Sequence, residues 1–113
     1  MAKSASNSST QPVMVITGTS RGAGQAMARY FAEAGYAVAG CSRGISTIHN
    51  CPNYHHYQVD VCEEQMVRVF ARSVKKDLGR VDVLVCNVGL VKLGAVTGAT
   101  SLAMFNEFLS GIL

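Results

Sequence analysis

A short apolar run, Val13-Met-Val-Ile-Thr17, leads straight into Gly18-Thr-Ser-Arg-Gly22-Ala-Gly24 and then into a helix-like stretch from Gln25 to Gly35. Strand, glycine-rich turn and helix in that order bring bare backbone N–H groups and the positive end of a helix dipole to one point, where a pyrophosphate can sit. A plain strand-to-helix turn does not need three glycines within seven residues, so the spacing from Gly18 to Gly24 points to close approach of the backbone by a ligand or by a neighbouring element.

The rest of the composition narrows the class. At 113 residues the chain is one domain, about half of what a full dinucleotide-binding enzyme generally needs. Apolar residues at 49% and charged residues at 15% make it globular, and no run of about 18 apolar residues suggests a membrane span. The net charge of +3 is scattered over Arg21, Arg29, Arg43, Lys75, Lys76, Arg80 and Lys92, which argues against nucleic-acid and membrane-surface binding. Cys41, Cys51, Cys62 and Cys86 show no C-x-x-C pairing, and Cys41 and Cys86 fall in strands expected to be buried, so a reducing, cytoplasmic location is expected. Residues 1–12, rich in Ser, Asn and Ala, read as a disordered tail ahead of a domain over 13–113 and carry no secretory signal.

Beyond the turn the elements alternate. Ala23 to Ala34 carries Met27, Phe31 and Ala34 at helical spacing, with Ala23, Ala26 and Tyr30 on a neighbouring stripe, and Gly35 as the stop. Ala37 to Cys41 is an uncharged strand of the kind buried on both faces of a parallel sheet. Residues 43–53 lose periodicity and form a loop, and a third strand is expected from His55 to Val59. A second helix is expected over Cys62 to Leu78, with Asp60 as N-cap, acidic residues in its first turn, Lys75 and Lys76 near its end, and Met66, Val67, Phe70, Val74 and Leu78 buried. Gly79 ends it, Val81 to Cys86 is a fourth strand, and a further helix is expected from Ala99 to Leu113. Right-handed crossovers give a doubly wound parallel α/β sheet in the order 3-2-1-4, with a crevice at the reversal beside Gly18 and Asn87.

These residues carry a family resemblance. Thr17-Gly-Thr-Ser-Arg-Gly22-Ala-Gly24 resembles the TGxxxGxG cofactor motif of the short-chain dehydrogenases/reductases. Cys86-Asn87-Val88-Gly89 is similar to that family's NNAG motif, with Cys and Val in place of its first Asn and its Ala, and Asp60-Val61 matches its adenine-contacting pair. The resemblance implies a Rossmann-like fold, here truncated to about four strands, with cofactor against Gly18, Ser20, Arg21, Gly22, Gly24, Ser42, Arg43, Asp60, Val61, Asn87 and Gly89.

The residue types fit that assignment physically. Gly18 permits the tight turn, Gly22 lets the backbone approach the phosphates, and Gly24 lets helix and strand pack closely. An NAD-selective site would hold a carboxylate just after the second strand. Ser42 and Arg43 stand there instead, and with Arg21 they would attract a 2′-phosphate, so NADP(H) is the expected cofactor, with NAD the weaker candidate. Asp60 could hold the adenine amino group or cap the following helix, and Asn87 would tie the central strands together while lining the crevice. His55 and His56, as strand neighbours, point to opposite faces, so no metal site with Cys51 is expected.

The family's chemistry resembles hydride transfer assisted by a Tyr-x-x-x-Lys pair, in which Lys lowers the phenol pKa. Four residues beyond Tyr30, Tyr36, Tyr54 and Tyr57 stand Ala34, Gly40, Gln58 and Val61, and no Lys occupies any of these positions. No catalytic residue is therefore assigned. Two readings follow: the cofactor-binding half of an NADP(H)-dependent oxidoreductase, inactive alone, or a standalone nucleotide-binding or dimerising module. Either leaves strand 81–86 as an apolar edge open to self-association.

Overall fold

The computed structural model describes residues 11–87 together with Asn106. Within them the chain runs β1 (Val13–Thr17), α1 (Gly22–Glu33), β2 (Ala37–Ser42), β3 (Tyr54–Gln58), α2 (Glu64–Leu78) and β4 (Val83–Val85). The four strands form one parallel sheet in the order β3-β2-β1-β4. The doubly wound arrangement read from the crossovers is the one observed, with the reversal between β1 and β4.

Alternation along β1 and β2 divides the core. Val13, Val15, Ala37, Ala39 and Cys41 face α2 and meet Val67, Phe70, Ala71, Val74 and Leu78. Met14, Ile16 and Val38 face the other way, onto Ala28 and Ala32 of α1 and onto Ile48 of the loop after β2. Strands covered on both sides have no wet face, which is why β1 and nearly all of β2 are buried without a polar alternation.

The two helices differ from expectation in their buried faces and starts. On α1 the fully buried positions are Gly24, Ala28 and Ala32, while Met27 and Phe31 are half-buried and Ala26, Tyr30 and Ala34 are exposed. Small residues let this helix lie close to the sheet, and larger neighbours then cover the flanks. The helix closes with Gly35 N–H on Ala32 O and Tyr36 N–H on Phe31 O, and the Tyr36 and Phe31 rings meet edge to face at 5.3 Å. On α2 the expected stripe is buried except for Met66, which is 41% exposed. Asp60 does not cap α2: its carboxylate accepts from Cys62 N–H at 2.9 Å and its carbonyl from Glu63 N–H, so it closes a turn and Glu63 becomes the first helix-flanking residue.

Cys41 is buried as expected, but Cys86 is exposed, because β4 ends at Val85 and lies at one edge of the sheet among the described residues. Asp82 fastens that strand. Its carboxylate accepts from Val13 N–H at 2.8 Å and from Arg80 at 2.8 Å, while its own N–H donates to Val13 O. Gln11 and Pro12, placed with the tail from sequence, are bonded to the domain: Gln11 Nε2 donates to Gly35 O and to Asn53 Oδ1, and Pro12 O accepts from Ala37 N–H. Residues 1–10, Gly89 and, apart from the helical Asn106, the helix expected over 99–113 lie outside the described residues. Among the described residues no helix is long and apolar enough to cross a membrane.

Candidate functional site

The glycine turn sits at the carboxyl ends of β1 and β2, where crevices open in doubly wound sheets. Gly18 and Gly22 have φ of 74° and 63°, the left-handed region that a Cβ disfavours. Gly18 and Thr19 both donate backbone N–H to Cys41 O, at 2.9 and 3.2 Å, which fastens the turn to the end of β2. α1 then begins at Gly22 with no side-chain cap and no acidic residue in its first turn. Its opening amides and its dipole are thus left to favour an anion.

Gly24 is glycine for a different reason. A Cβ there would press into the carbonyl oxygen of Gly18 and stand 2.6 Å from Asn87 Nδ2. Asn87 is the other half of that contact: its backbone N–H donates to Thr17 Oγ1 at 2.8 Å and its side-chain amide to Gly18 O at 3.3 Å. Gly18, Gly24 and Asn87 therefore form one packed junction at the reversal point, whereas a Cβ at Gly22 would meet nothing within 4 Å. The turn is thus packed at Gly24 and open at Gly22.

β2 ends at Ser42, and the loop that follows, opening with Arg43, is tied to the turn. Thr47 Oγ1 donates to Ser20 O at 2.8 Å and accepts from Gln25 Nε2 at 3.1 Å. Arg21 flanks the start of α1 and Arg43 lies in the fastened loop; both are exposed. Among the described residues no carboxylate stands between Ser42 and Asn53. Val59 N–H donates to Ser42 O at 2.8 Å, which sets Asp60 beside the end of β2. Asp60 is half-buried, and Val61 is buried with the α2-facing core.

Sequence reasoning missed a polar chain beneath the loop. Thr19, 1% exposed, places Oγ1 2.6 Å from the phenol oxygen of Tyr54, which lies 2.7 Å from His56 Nδ1. His56 Nε2 is in turn 2.9 Å from Gly44 O and 3.2 Å from Ser42 Oγ. The signal available was weak, a Tyr-His-His-Tyr strand with no apolar alternation and a lone Gly40 inside β2. That glycine makes the room, since a Cβ would collide with the Tyr54 hydroxyl and lie 2.7 Å from Thr19 Oγ1. Burial pushes the Tyr54 phenol up to about 12, so it stays a hydroxyl. His55 and His56 do not converge on Cys51, and among the described residues no group of three or more His, Cys, Asp or Glu is placed to hold a metal ion.

A parallel doubly wound sheet with a glycine turn at its reversal defines a nucleotide-binding class of α/β domain. The family model for short chain dehydrogenases matches residues 12–110, and the chain belongs to that family. It is 31% identical over 106 residues to a farnesol dehydrogenase of Aedes aegypti, covering 86% of this chain and 43% of that protein. It is 40% identical over 70 residues to protein FixR of Bradyrhizobium diazoefficiens, covering 58% of this chain and 25% of that protein. The chain thus spans less than half the length of these relatives. Among solved structures, a 3-oxoacyl-[acyl-carrier protein] reductase from Brucella melitensis superposes with a TM-score of 0.81 at 21% identity, over 93% of this chain and 52% of that one. A metagenomic short-chain oxidoreductase in complex with NADP superposes at 0.77 and 24% identity, over 88% of this chain and 55% of that one.

Proposed function

We propose that this chain is the cofactor-binding part of an NADP(H)-dependent short-chain oxidoreductase of the carbonyl/alcohol hydride-transfer class. The amides opening α1 at Gly22 would hold the pyrophosphate, Ser42 and Arg43 would meet the 2′-phosphate side of the adenosine, Asp60 and Val61 would contact the adenine, and Asn87 would line the crevice beside Gly18; the cofactor would supply the hydride. The observation that carries the reading is the Thr47 clasp, which fastens the Arg43 loop to Ser20 of the turn with no carboxylate in that loop. A ribose 2′-hydroxyl would find no anionic acceptor there, whereas a 2′-phosphate would meet guanidinium groups. NAD, lacking that phosphate, is the weaker ligand.

The test is charge reversal. Arg43→Glu should weaken adenosine 2′,5′-bisphosphate binding about tenfold or more while leaving AMP nearly unchanged, as expected for loss of a charge-assisted contact. Equal effects on both nucleotides, or on neither, would remove Arg43 from the site.

The same reading makes the 113-residue chain a binder without turnover, because none of its tyrosines is followed by Lys at the fourth position. Incubated with NADPH and a panel of aldehydes and ketones, it should leave the reduced nicotinamide unconsumed. Steady oxidation of NADPH would contradict this. A second reading, a module that self-associates, draws on the edge position of β4 among the described residues and on Val83, which is 36% exposed. Sedimentation should then show a concentration-dependent dimer that Val83→Lys dissociates, and a monomer at all concentrations would dismiss it.

A further inference from the structure

The chain of hydrogen bonds under the β2 loop has a fixed direction. Gly44 O can only accept, so His56 Nε2 carries the proton across their 2.9 Å contact. In the tautomer with its proton on Nε2, Nδ1 accepts from the Tyr54 hydroxyl at 2.7 Å, and the Tyr54 oxygen accepts at 2.6 Å from the Thr19 hydroxyl, whose contact with Cys41 O is longer at 3.5 Å. Ser42 Oγ, 3.1 Å from Gly44 O, donates to the same carbonyl. Every member has a partner, and the series runs without a break from the floor of the glycine turn to the residue after Arg43.

Arg43 follows the last residue of β2, Ser42, and is itself followed by two anchors of different origin. His56, its ring set by Tyr54, holds the loop at Gly44 O, and Thr47 holds it to Ser20 O. The second anchor needs space inside the sheet, and Gly40 supplies it, since any Cβ would displace the Tyr54 hydroxyl. An exposed arginine on an untethered loop loses side-chain and backbone freedom on binding, and a pre-set loop spares much of that cost.

We propose that His56 is a specificity-determining positioning residue, which through Gly44 O holds the Arg43 loop in register with the glycine turn and so sets the preference for a 2′-phosphorylated nucleotide. The proposal rests on the reading of Arg43 given above. It does not make His56 a ligand: the imidazole acts through the loop, with Tyr54 and Thr19 orienting it from behind.

The experiment compares His56→Leu, which removes the donor, with His56→Gln, whose amide can still donate to Gly44 O, and with Tyr54→Phe, which keeps the ring and removes the orienting hydroxyl. Backbone order parameters of residues 43–47 are measured by NMR relaxation, alongside calorimetric affinities for adenosine 2′,5′-bisphosphate and for AMP. The expected result is a loosened loop and an about fivefold loss for the bisphosphate alone in His56→Leu, the same direction in Tyr54→Phe, and near-native behaviour in His56→Gln. A loop that stays ordered in a folded His56→Leu overturns the proposal, whatever the nucleotide data. Equal losses for both nucleotides, or a loosened loop with unchanged preference, overturn it as well. A wild-type chain with no preference for the bisphosphate, combined with a loop that loosens in His56→Leu, overturns the Arg43 reading and leaves the hold of His56 on the loop supported.

Discussion

Asn87 donates its side-chain amide to the carbonyl of Gly18 across 3.3 Å, joining two residues 69 positions apart at the point where the sheet reverses direction. Gly24 packs against both groups, and the closer of the two is the Gly18 carbonyl. Gly24→Ala should therefore destabilise the fold by about 2 kcal/mol through overpacking against backbone that cannot swing aside. Asn87→Ala alone should cost about 1 kcal/mol, the value of a partly buried hydrogen bond. The double variant should recover little, because removing the amide leaves the Gly18 clash in place. Urea unfolding of all three checks this, and a double variant as stable as Asn87→Ala would show that Asn87, not Gly18, is the obstacle.

Asp82 clamps the start of β1 to β4 through Val13 N–H, with Arg80 on its other oxygen. The Arg80 guanidinium, helped by the Val13 amide, holds the Asp82 carboxyl below its ordinary value of 3.8. The native chain then binds fewer protons than the unfolded one as pH drops past that value, so stability from this group is present above it and is lost as pH falls through the lower native pKa. The side chain is 31% exposed, so solvent and salt screen the ion pair and the amide bond carries much of the effect. Asp82→Asn should flatten the acid limb of a stability-against-pH curve and cost about 1 kcal/mol near neutrality.

At the alkaline end the sign reverses. Burial raises the Cys41 thiol from 9.0 to about 12 and the Tyr54 phenol from 10.0 to about 12, and Tyr57 is raised too, by burial and by the neighbouring Asp77 carboxylate. Between the unfolded and native values the folded chain keeps protons that the unfolded chain releases, so stability falls as pH rises from about 9 toward 12. Urea midpoints measured across that window should drop steadily, and Cys41→Ala and Tyr54→Phe should each make the drop shallower. Midpoints independent of pH there would mean that neither group is buried in solution.

Strand order, the turn and both helix stops were legible because each rests on a strong local signal. Uncharged β1 and β2 can only be doubly covered, and Gly18, Gly22 and Gly24 sit at spacings with few other uses. The buried face of α1 was misread because periodicity weights large apolar side chains, whereas close helix-to-sheet packing selected Gly24, Ala28 and Ala32 and left Tyr30 67% exposed. Asp60 looked like a cap because the helix was expected to start at Cys62, whereas α2 starts at Glu64 and Asp60 closes the preceding turn instead. The Thr19–Tyr54–His56 chain left only a weak trace in the sequence, the Tyr-His-His-Tyr strand and the lone Gly40. It depends on β2 and β3 being neighbours in one register, with Gly40 opposite His56, and register is a property of the assembled sheet rather than of either strand.

The most direct measurement is a calorimetric titration of the purified chain with NADP⁺ and, separately, with NAD⁺ at low salt. A glycine turn flanked by Arg21 and Arg43 predicts saturable one-to-one binding of NADP⁺ with NAD⁺ weaker by about tenfold or more. Equal affinities, or tighter binding of NAD⁺, would contradict the assignment of the β2 loop as a 2′-phosphate site.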